Sequence, residues 1–148
     1  MSALPKTATP DLLIGMIHDP LSWALWPAAK AMLTPALERG GEDWAKTEAA
    51  LSADEMRLWA VIEDGTLTAA TVTRISVGNR GEVVEVFLVG GEGYERWLAP
   101  LNDQIEQAAR DIGCVEMRAW GRSGWKKPLA ALGWSAVAVA YEKDLTHG

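Results

Sequence analysis

Hydrophobic and polar positions follow two different periods along the chain, and the change comes near Leu58. Before it, apolar residues recur at helical spacing. Leu12, Leu13, Met16 and Ile17 have that spacing, and Thr9-Pro10 ahead of them has the form of a cap and a first helical residue. His18-Asp19-Pro20 breaks the pattern. A second helical stretch is predicted over residues 20–38, interrupted at Pro27 and Pro35 and ended by Gly40-Gly41. A third covers residues 42–51 and carries Trp44 and an alanine-rich face.

From Leu58 the period shortens. Leu58-Trp59-Ala60-Val61-Ile62 is a strand-length apolar run, and Glu63-Asp64-Gly65-Thr66 after it is a hairpin signal. A second strand is predicted over 67–77, a tight turn at Gly78-Asn79-Arg80-Gly81, and a third strand over 82–89. In that third strand, alternation puts Val83, Phe87 and Val89 on one face and Val84, Val86 and Leu88 on the other. Apolar residues on both faces predict a central strand covered on both sides, with Glu85 the exception.

Gly90-Gly91-Glu92-Gly93 follows it directly. A long helix then carries Trp97, Leu101, Ile105, Ala108 and Ile112 on one stripe, with Pro100 early in it and Gly113 at its end. Residues 114–120 alternate as a strand, Ser123 is placed to cap a short helix over 124–132, Gly133 ends it, and 134–144 read as a last strand. The hairpins impose antiparallel pairs, and the long helix imposes a right-handed crossover between parallel strands. The predicted fold class is therefore α/β (α+β), a mixed, mostly antiparallel sheet with helices on both faces. One domain is expected over 1–148, helical through residue 55 and sheet-based from 56. No internal repeat, linker or low-complexity stretch is visible.

Composition narrows the function classes. About half the chain is apolar and 23% is charged, the make-up of an ordinary globular protein. A net charge of -6 argues against bulk nucleic-acid binding, which needs a basic surface. The single cysteine, Cys114, has no partner for an internal disulfide or a zinc site. No apolar run approaches the ~18 residues of a membrane span, and the start lacks a signal-peptide core, so a cytosolic protein without membrane contact is expected. Eight tryptophans stand out: Trp23, Trp26, Trp44, Trp59, Trp97, Trp120, Trp125 and Trp134. They suit either a packed core or an aromatic interface.

Three features could carry chemistry. Gly90, Gly91 and Gly93 precede a helix, where exposed backbone N–H groups can bind phosphate. The Rossmann spacing fails because Arg96 stands at the third glycine position. The cluster is equally explained as a turn and a helix cap. Arg118, Arg122, Lys126 and Lys127 form a basic cluster, either a contact for an anionic partner or a solvated face balanced by Glu116. Glu85 is either a general base with a raised pKa or a rim carboxylate paired with Arg74 or Arg80. His18 and His147, the two histidines, have no triad around them.

Element order over residues 58–145 resembles the GNAT fold of acetyl-CoA-dependent N-acetyltransferases. The likeness is strongest over 121–145, where Leu129-Ala130-Ala131-Leu132-Gly133-Trp134 is similar to that family's helix ending in Gly-Phe or Gly-Trp, and Tyr141-Glu142-Lys143 to its last strand. The resemblance implies acetyl-CoA as cosubstrate, with Gly90, Gly91, Gly93, Arg122, Lys126 and Lys127 as its contacts and Glu85 as base. Two positions depart from the family pattern. Leu88 stands where the phosphate loop has Gln or Arg, and Leu129 where a Tyr often serves as general acid. The family's Asn one or two turns earlier is also missing.

A narrower resemblance rests on GCVEMRAWGRSGWKKPLAALGW and LWAVIEDGTLTAATVTRI. Both are similar to stretches of small GNAT-like proteins encoded by tailed bacteriophages and prophages. That implies a phage protein of the host cytoplasm or the particle, with virion or assembly components as partners, no certain cofactor and a degenerate catalytic site. The two implications, degenerate particle protein and divergent acetyltransferase, both stand at this point.

Overall fold

The computed structural model describes residues 11–146. Five strands form one sheet in the order β1-β2-β3-β4-β5: β1 (Leu12–Ile17), β2 (Met56–Glu63), β3 (Thr66–Val77), β4 (Glu82–Gly91) and β5 (Glu116–Ala119). The first four are antiparallel neighbours. β5 runs parallel to β4, as the crossover helix requires. Helices α1 (Trp26–Arg39) and α2 (Trp44–Ser52) precede β2, α3 (Tyr94–Asp111) crosses from β4 to β5, and a short α4 (Lys126–Ala130) follows.

Each face of the sheet has its own core. On one, Trp26, Ala29, Leu33 and Leu37 of α1 pack on Leu58, Ala70, Val72 and Leu88. On the other, Trp97, Leu101, Ile105 and Ala109 of α3 pack on Trp59, Val61, Ala69 and Val84. Burying such side chains is worth roughly 1.5–3 kcal/mol for each large one, so the two helices fix the sheet between them. Tryptophan mainly fills these cores. Trp26, Trp59 and Trp97 are buried, and Trp23 packs half-buried against the α1 core. Buried indoles keep their N–H groups satisfied, as Trp59 does on Thr73 at 3.0 Å and Trp97 on the Glu92 carbonyl at 2.7 Å.

The β2–β3 turn is tight because Asp64 (φ 49°) and Gly65 (φ 81°) both adopt positive φ, the two-residue hairpin geometry that follows strand twist. α2 is capped by Asp43, whose carboxylate accepts from the Ala45 N–H at 2.7 Å. Gly113 (φ 85°) ends α3 as expected.

Several expectations are corrected. Leu12–Ile17 is a strand and not a helix; Thr9 and Pro10 lie outside the described residues. Pairing decides it. All six residues are in register with β2, and Asp11 exchanges hydrogen bonds with Asp64 at the hairpin turn (2.9 and 3.0 Å). Pro35 does not interrupt α1, because Leu33 and Leu37 on either side of it are held in the core. Ser123 provides no side-chain cap to the helical turns after it. In α3 the stripe ends on Ala109, leaving Ile112 exposed. The predicted last strand is absent: after Gly133 (φ 88°) the chain makes no regular structure through Leu145.

The face assignment in β4 is also corrected. Thr73 pairs with Val86 and Val72 with Leu88, which leaves Phe87 as an extra residue on β4. This bulge flips the alternation. Val84 therefore packs toward α3 and Leu88 toward α1, although both sit at even positions. Phe87 joins Leu88 on the α1 side, and Val89 returns to the α3 side.

Candidate functional site

The bulge sits where β4 and β5 part. Their pairing runs from Val83–Glu116 to Val86–Ala119 and stops there. Beyond it β4 continues to Gly91, while β5 ends at Ala119 and the segment after it leaves the sheet at Trp120-Gly121 and enters the turns before α4. The gap is a cleft of about 470 Å³. Its walls are apolar: Phe87 and Val89 from β4, Trp97, Leu101 and Ile105 from α3, Met117 from β5, and Trp125, Leu129 and Trp134 from the closing segment. Arg74, Asn102 and Arg122 are among the polar groups at its margin. An apolar cleft with few polar groups is the usual form of a small-molecule site.

A second hollow of about 360 Å³ adjoins the start of α3 and is lined by Tyr94, Arg122, Ser123, Gly124 and Trp125. Tyr94, the first residue of α3, stacks at a tilt on Trp125 with ring centres 5.5 Å apart. Arg122 and Trp125 border both hollows. The two spaces thus share a wall, one apolar and one placed between a guanidinium and the positive end of an 18-residue helix.

The closing segment is tied across the cleft by one side-chain bond. Trp134 donates its indole N–H to Asn102 Oδ1 at 2.9 Å, and Asn102 is buried within α3. Sequence reasoning missed Asn102. The available signal was an amide adjoining Leu101 on the apolar stripe of α3.

The glycines do different work from an open loop. Gly90 and Gly91 belong to β4, paired with Ala70 and Ala69. A Cβ on Gly90 would collide with the Met32 carbonyl of α1, so this glycine allows helix and strand to touch. Gly93 adopts φ 70° at the N-cap of α3, and a Cβ there would strike the Arg96 guanidinium. Arg96 in turn binds Glu63 through two hydrogen bonds of 2.8 and 3.0 Å. The Arg96 hydrogen bond is the leading cause that lowers the Glu63 pKa. None of Gly90, Gly91 and Gly93 lines the cleft.

Glu85 is a member of an ion pair. It accepts from Arg74 Nε at 2.8 Å and Ser76 Oγ at 2.9 Å. Burial pushes its carboxyl up, but the bonds from Arg74 and Ser76, with the charges of Arg74 and Arg118, bring it below the usual range. The raised pKa expected of a general base is therefore not found. Arg74 also lies 4.3 Å over the Phe87 ring and lines the cleft, so Glu85 reaches the cleft only through Arg74.

The basic cluster is split. Arg118 pairs with Glu116 at 3.4 Å, Arg122 faces both hollows, and Lys126 and Lys127 lie exposed on α4 away from them. Burial and the Glu82 charge raise the Cys114 pKa, which keeps the thiol protonated and weakens it as a nucleophile. Among the described residues no cluster of His, Cys, Asp and Glu could hold a metal ion, and no helix is long and apolar enough to cross a membrane. His147 lies outside the described residues.

No family model and no curated sequence matches the chain. Solved structures do. A predicted acetyltransferase from Clostridium acetobutylicum, solved with acetyl-CoA, superposes with a TM-score of 0.68 at 10% identity, over 93% of this chain and 98% of its own. An aminoglycoside N-acetyltransferase in complex with CoA gives 0.65 at 17% identity, over 92% and 96%. Glucosamine-6-phosphate N-acetyltransferase from Arabidopsis thaliana gives 0.62 at 12% identity, over 90% and 98%. The chain has the GNAT acetyltransferase fold, and at these identities the likeness carries the fold alone.

Proposed function

We propose that the protein is an acyl-coenzyme A-dependent N-acyltransferase with a divergent site. The cleft between β4 and β5 takes the pantetheine arm, and the hollow at the start of α3 takes phosphate. The observation that carries this reading is the wall of Arg122 and Trp125 shared by an apolar cleft and a hollow at the start of α3. The donor chemistry fits such a ligand. The walls of the cleft match an uncharged arm, and Arg122 with the first turn of α3 matches a phosphate. CoA complexes of two of the structures that share the fold support the same ligand class.

Acyl-CoA supplies an activated thioester. This chain's residues bind the arm, exclude water and orient the carbonyl toward an amine. The C–N bond would form as the C–S bond breaks, the amine proton would go to solvent, and the coenzyme A thiolate would leave and take a proton from solvent. Leu129, which lines the cleft, has no proton to donate. Glu85, held as an anion by Arg74 and Ser76, supports the charge of Arg74 in place of acting as base.

A second reading is favoured by Leu88, Leu129 and the Arg96 guanidinium against Gly93. Leu88 is buried in the α1 core and cannot serve a loop. Here the chain is a catalytically degenerate GNAT-fold protein of a bacteriophage, acting in the host cytoplasm or the particle through protein partners. Calorimetric titration with acetyl-CoA, paired with thiol release in the presence of primary amines, separates the two. Saturable binding with amine-dependent thiol release supports the enzyme. Absence of heat up to millimolar ligand sinks it, and co-sedimentation with phage particles would then support the second reading.

A further inference from the structure

The cleft is lined from both faces of the sheet. Trp97, Leu101 and Ile105 of α3 line it on one, and Ala36 and Arg39 of α1, with Glu42 just after the helix, line it on the other. What the α1 side offers is charge. The carbonyls of Ala36, Leu37 and Glu38 accept from the N–H groups of Gly40, Glu42 and Gly41, so the helix end is closed by its own chain. The side chains of Arg39 and Glu42 are left to the cleft. Both are exposed, and neither has a hydrogen bond or ion pair with another described residue. Arg74 completes the mouth. It lies 4.3 Å over the Phe87 ring and binds Glu85 through Nε alone, which leaves its terminal nitrogens for a ligand. Ala36 and Phe87 pack on one core, so the helix end stands beside the Arg74–Phe87 stack.

The charges of Arg39 and Arg74 are balanced by those of Glu42 and Glu85. A polyanion would face the two carboxylates, and a polyamine the two guanidiniums. A ligand with one charge of each sign suits both, and Ala36 and Phe87 between them give it an apolar wall. We infer, on the acyltransferase reading, that the acceptor is an amino acid with an apolar side chain. Its carboxylate is held by Arg39 and Arg74, Glu42 attracts its ammonium, and its side chain lies against Ala36 and Phe87. The ammonium gives one proton to solvent. The free nitrogen then bonds to the thioester carbon as the C–S bond breaks, its next proton goes to solvent, and the coenzyme A thiolate takes a proton from solvent. The product is an N-acyl amino acid. It has lost the positive charge that Glu42 attracts, so the mouth holds substrate better than product.

The test is a chemical-shift titration of the full chain with L-phenylalanine, L-leucine, phenethylamine, which lacks the carboxylate, and 3-phenylpropionate, which lacks the ammonium. At least one of the two amino acids is expected to saturate in the millimolar range or below. Phenethylamine and 3-phenylpropionate should bind at least about tenfold more weakly than L-phenylalanine. Arg39→Ala should weaken L-phenylalanine about tenfold and leave phenethylamine unchanged. Glu42→Gln should weaken L-phenylalanine and leave 3-phenylpropionate unchanged. Both side chains are exposed and unpartnered among the described residues, so both variants keep the fold. Saturation by neither amino acid, phenethylamine as tight as L-phenylalanine, or equal losses for both in Arg39→Ala would each overturn the inference. Thiol release from acetyl-CoA separates it from the reading beneath it. Release with phenethylamine but with neither amino acid would keep the acyltransferase and overturn the amino acid. Amino acid binding with no binding of acetyl-CoA would overturn the acyltransferase, and the acceptor role with it.

Discussion

Trp134 and Asn102 stand 32 positions apart and share a 2.9 Å hydrogen bond that closes one end of the cleft. Asn102 is buried and its side-chain oxygen has this one indole to accept from, whereas Trp134 is half-buried. Replacing the amide by Ala removes the acceptor and leaves the indole N–H close enough to water to be solvated. Asn102→Ala is therefore expected to cost about 1 kcal/mol in chemical denaturation. Hydrogen exchange gives the sharper readout. Amides of residues 123–134 should exchange faster, while the core positions of α3 keep their protection. Uniform loss of protection along α3 would mean that Asn102 supports the helix and not the closing segment.

Close contact between α1 and β4 makes a second expectation. At Gly90 a methyl group would meet the Met32 backbone carbonyl, and neither backbone can move without disturbing the α1 core. Gly90→Ala should destabilise by about 3 kcal/mol. Gly15 in β1 has nothing within 4 Å of an added Cβ. Gly15→Ala should stay within about 0.5 kcal/mol of the parent. Comparing the two midpoints separates close packing from the general effect of glycine in a strand. Equal midpoints would show that α1 does not press on β4.

These two relationships also mark what the sequence could convey. Hairpin residues Asp64 and Gly65 and the stripe of α3 specify local structure, and both were legible. Leu12–Ile17 was not, because its apolar residues satisfy both periods. Leu12, Ile14 and Met16 share the α3 face as a strand, and only pairing with β2 chooses between the periods. The Phe87 bulge depends on how β3 aligns with β4, so alternation alone misplaced Leu88. The candidate site was legible as a region but not as a list. Arg122 reaches the cleft, while Gly90 is occupied by helix packing and Lys126 and Lys127 face solvent. Contacts such as Trp134 on Asn102 join segments far apart in the chain, and no local pattern encodes them.

Glu85 sets an acid limit on stability. Its pKa is lowered in the folded chain, so the folded state binds fewer protons than the unfolded state across the interval between the two values. The stabilisation is complete above the unfolded carboxylate pKa of about 4.3 and is lost as pH falls through the folded pKa. Glu85→Gln keeps the shape but removes the anion facing Arg74 and Ser76. At neutral pH it should cost about 1–2 kcal/mol. Its penalty should shrink steadily below pH 4, so denaturation midpoints of variant and parent converge. A penalty independent of pH would assign the loss to packing.

Arg122 divides the ligand into two parts. It borders both the apolar cleft and the hollow at Tyr94, so its charge should matter for a phosphate and not for the arm. Arg122→Ala is expected to weaken CoA binding about tenfold, equivalent to about 1.4 kcal/mol, and to leave acetyl-pantetheine, which lacks the nucleotide, unchanged. Raising salt from about 50 to 500 mM should weaken CoA binding to the parent more than to the variant, because added ions screen an exposed charge. Lys126→Ala and Lys127→Ala, on the exposed face of α4, should change the affinity by less than about twofold, the scale of screened surface charges. Equal losses for CoA and acetyl-pantetheine would place Arg122 on the arm, and a larger effect at Lys126 would move the phosphate onto α4.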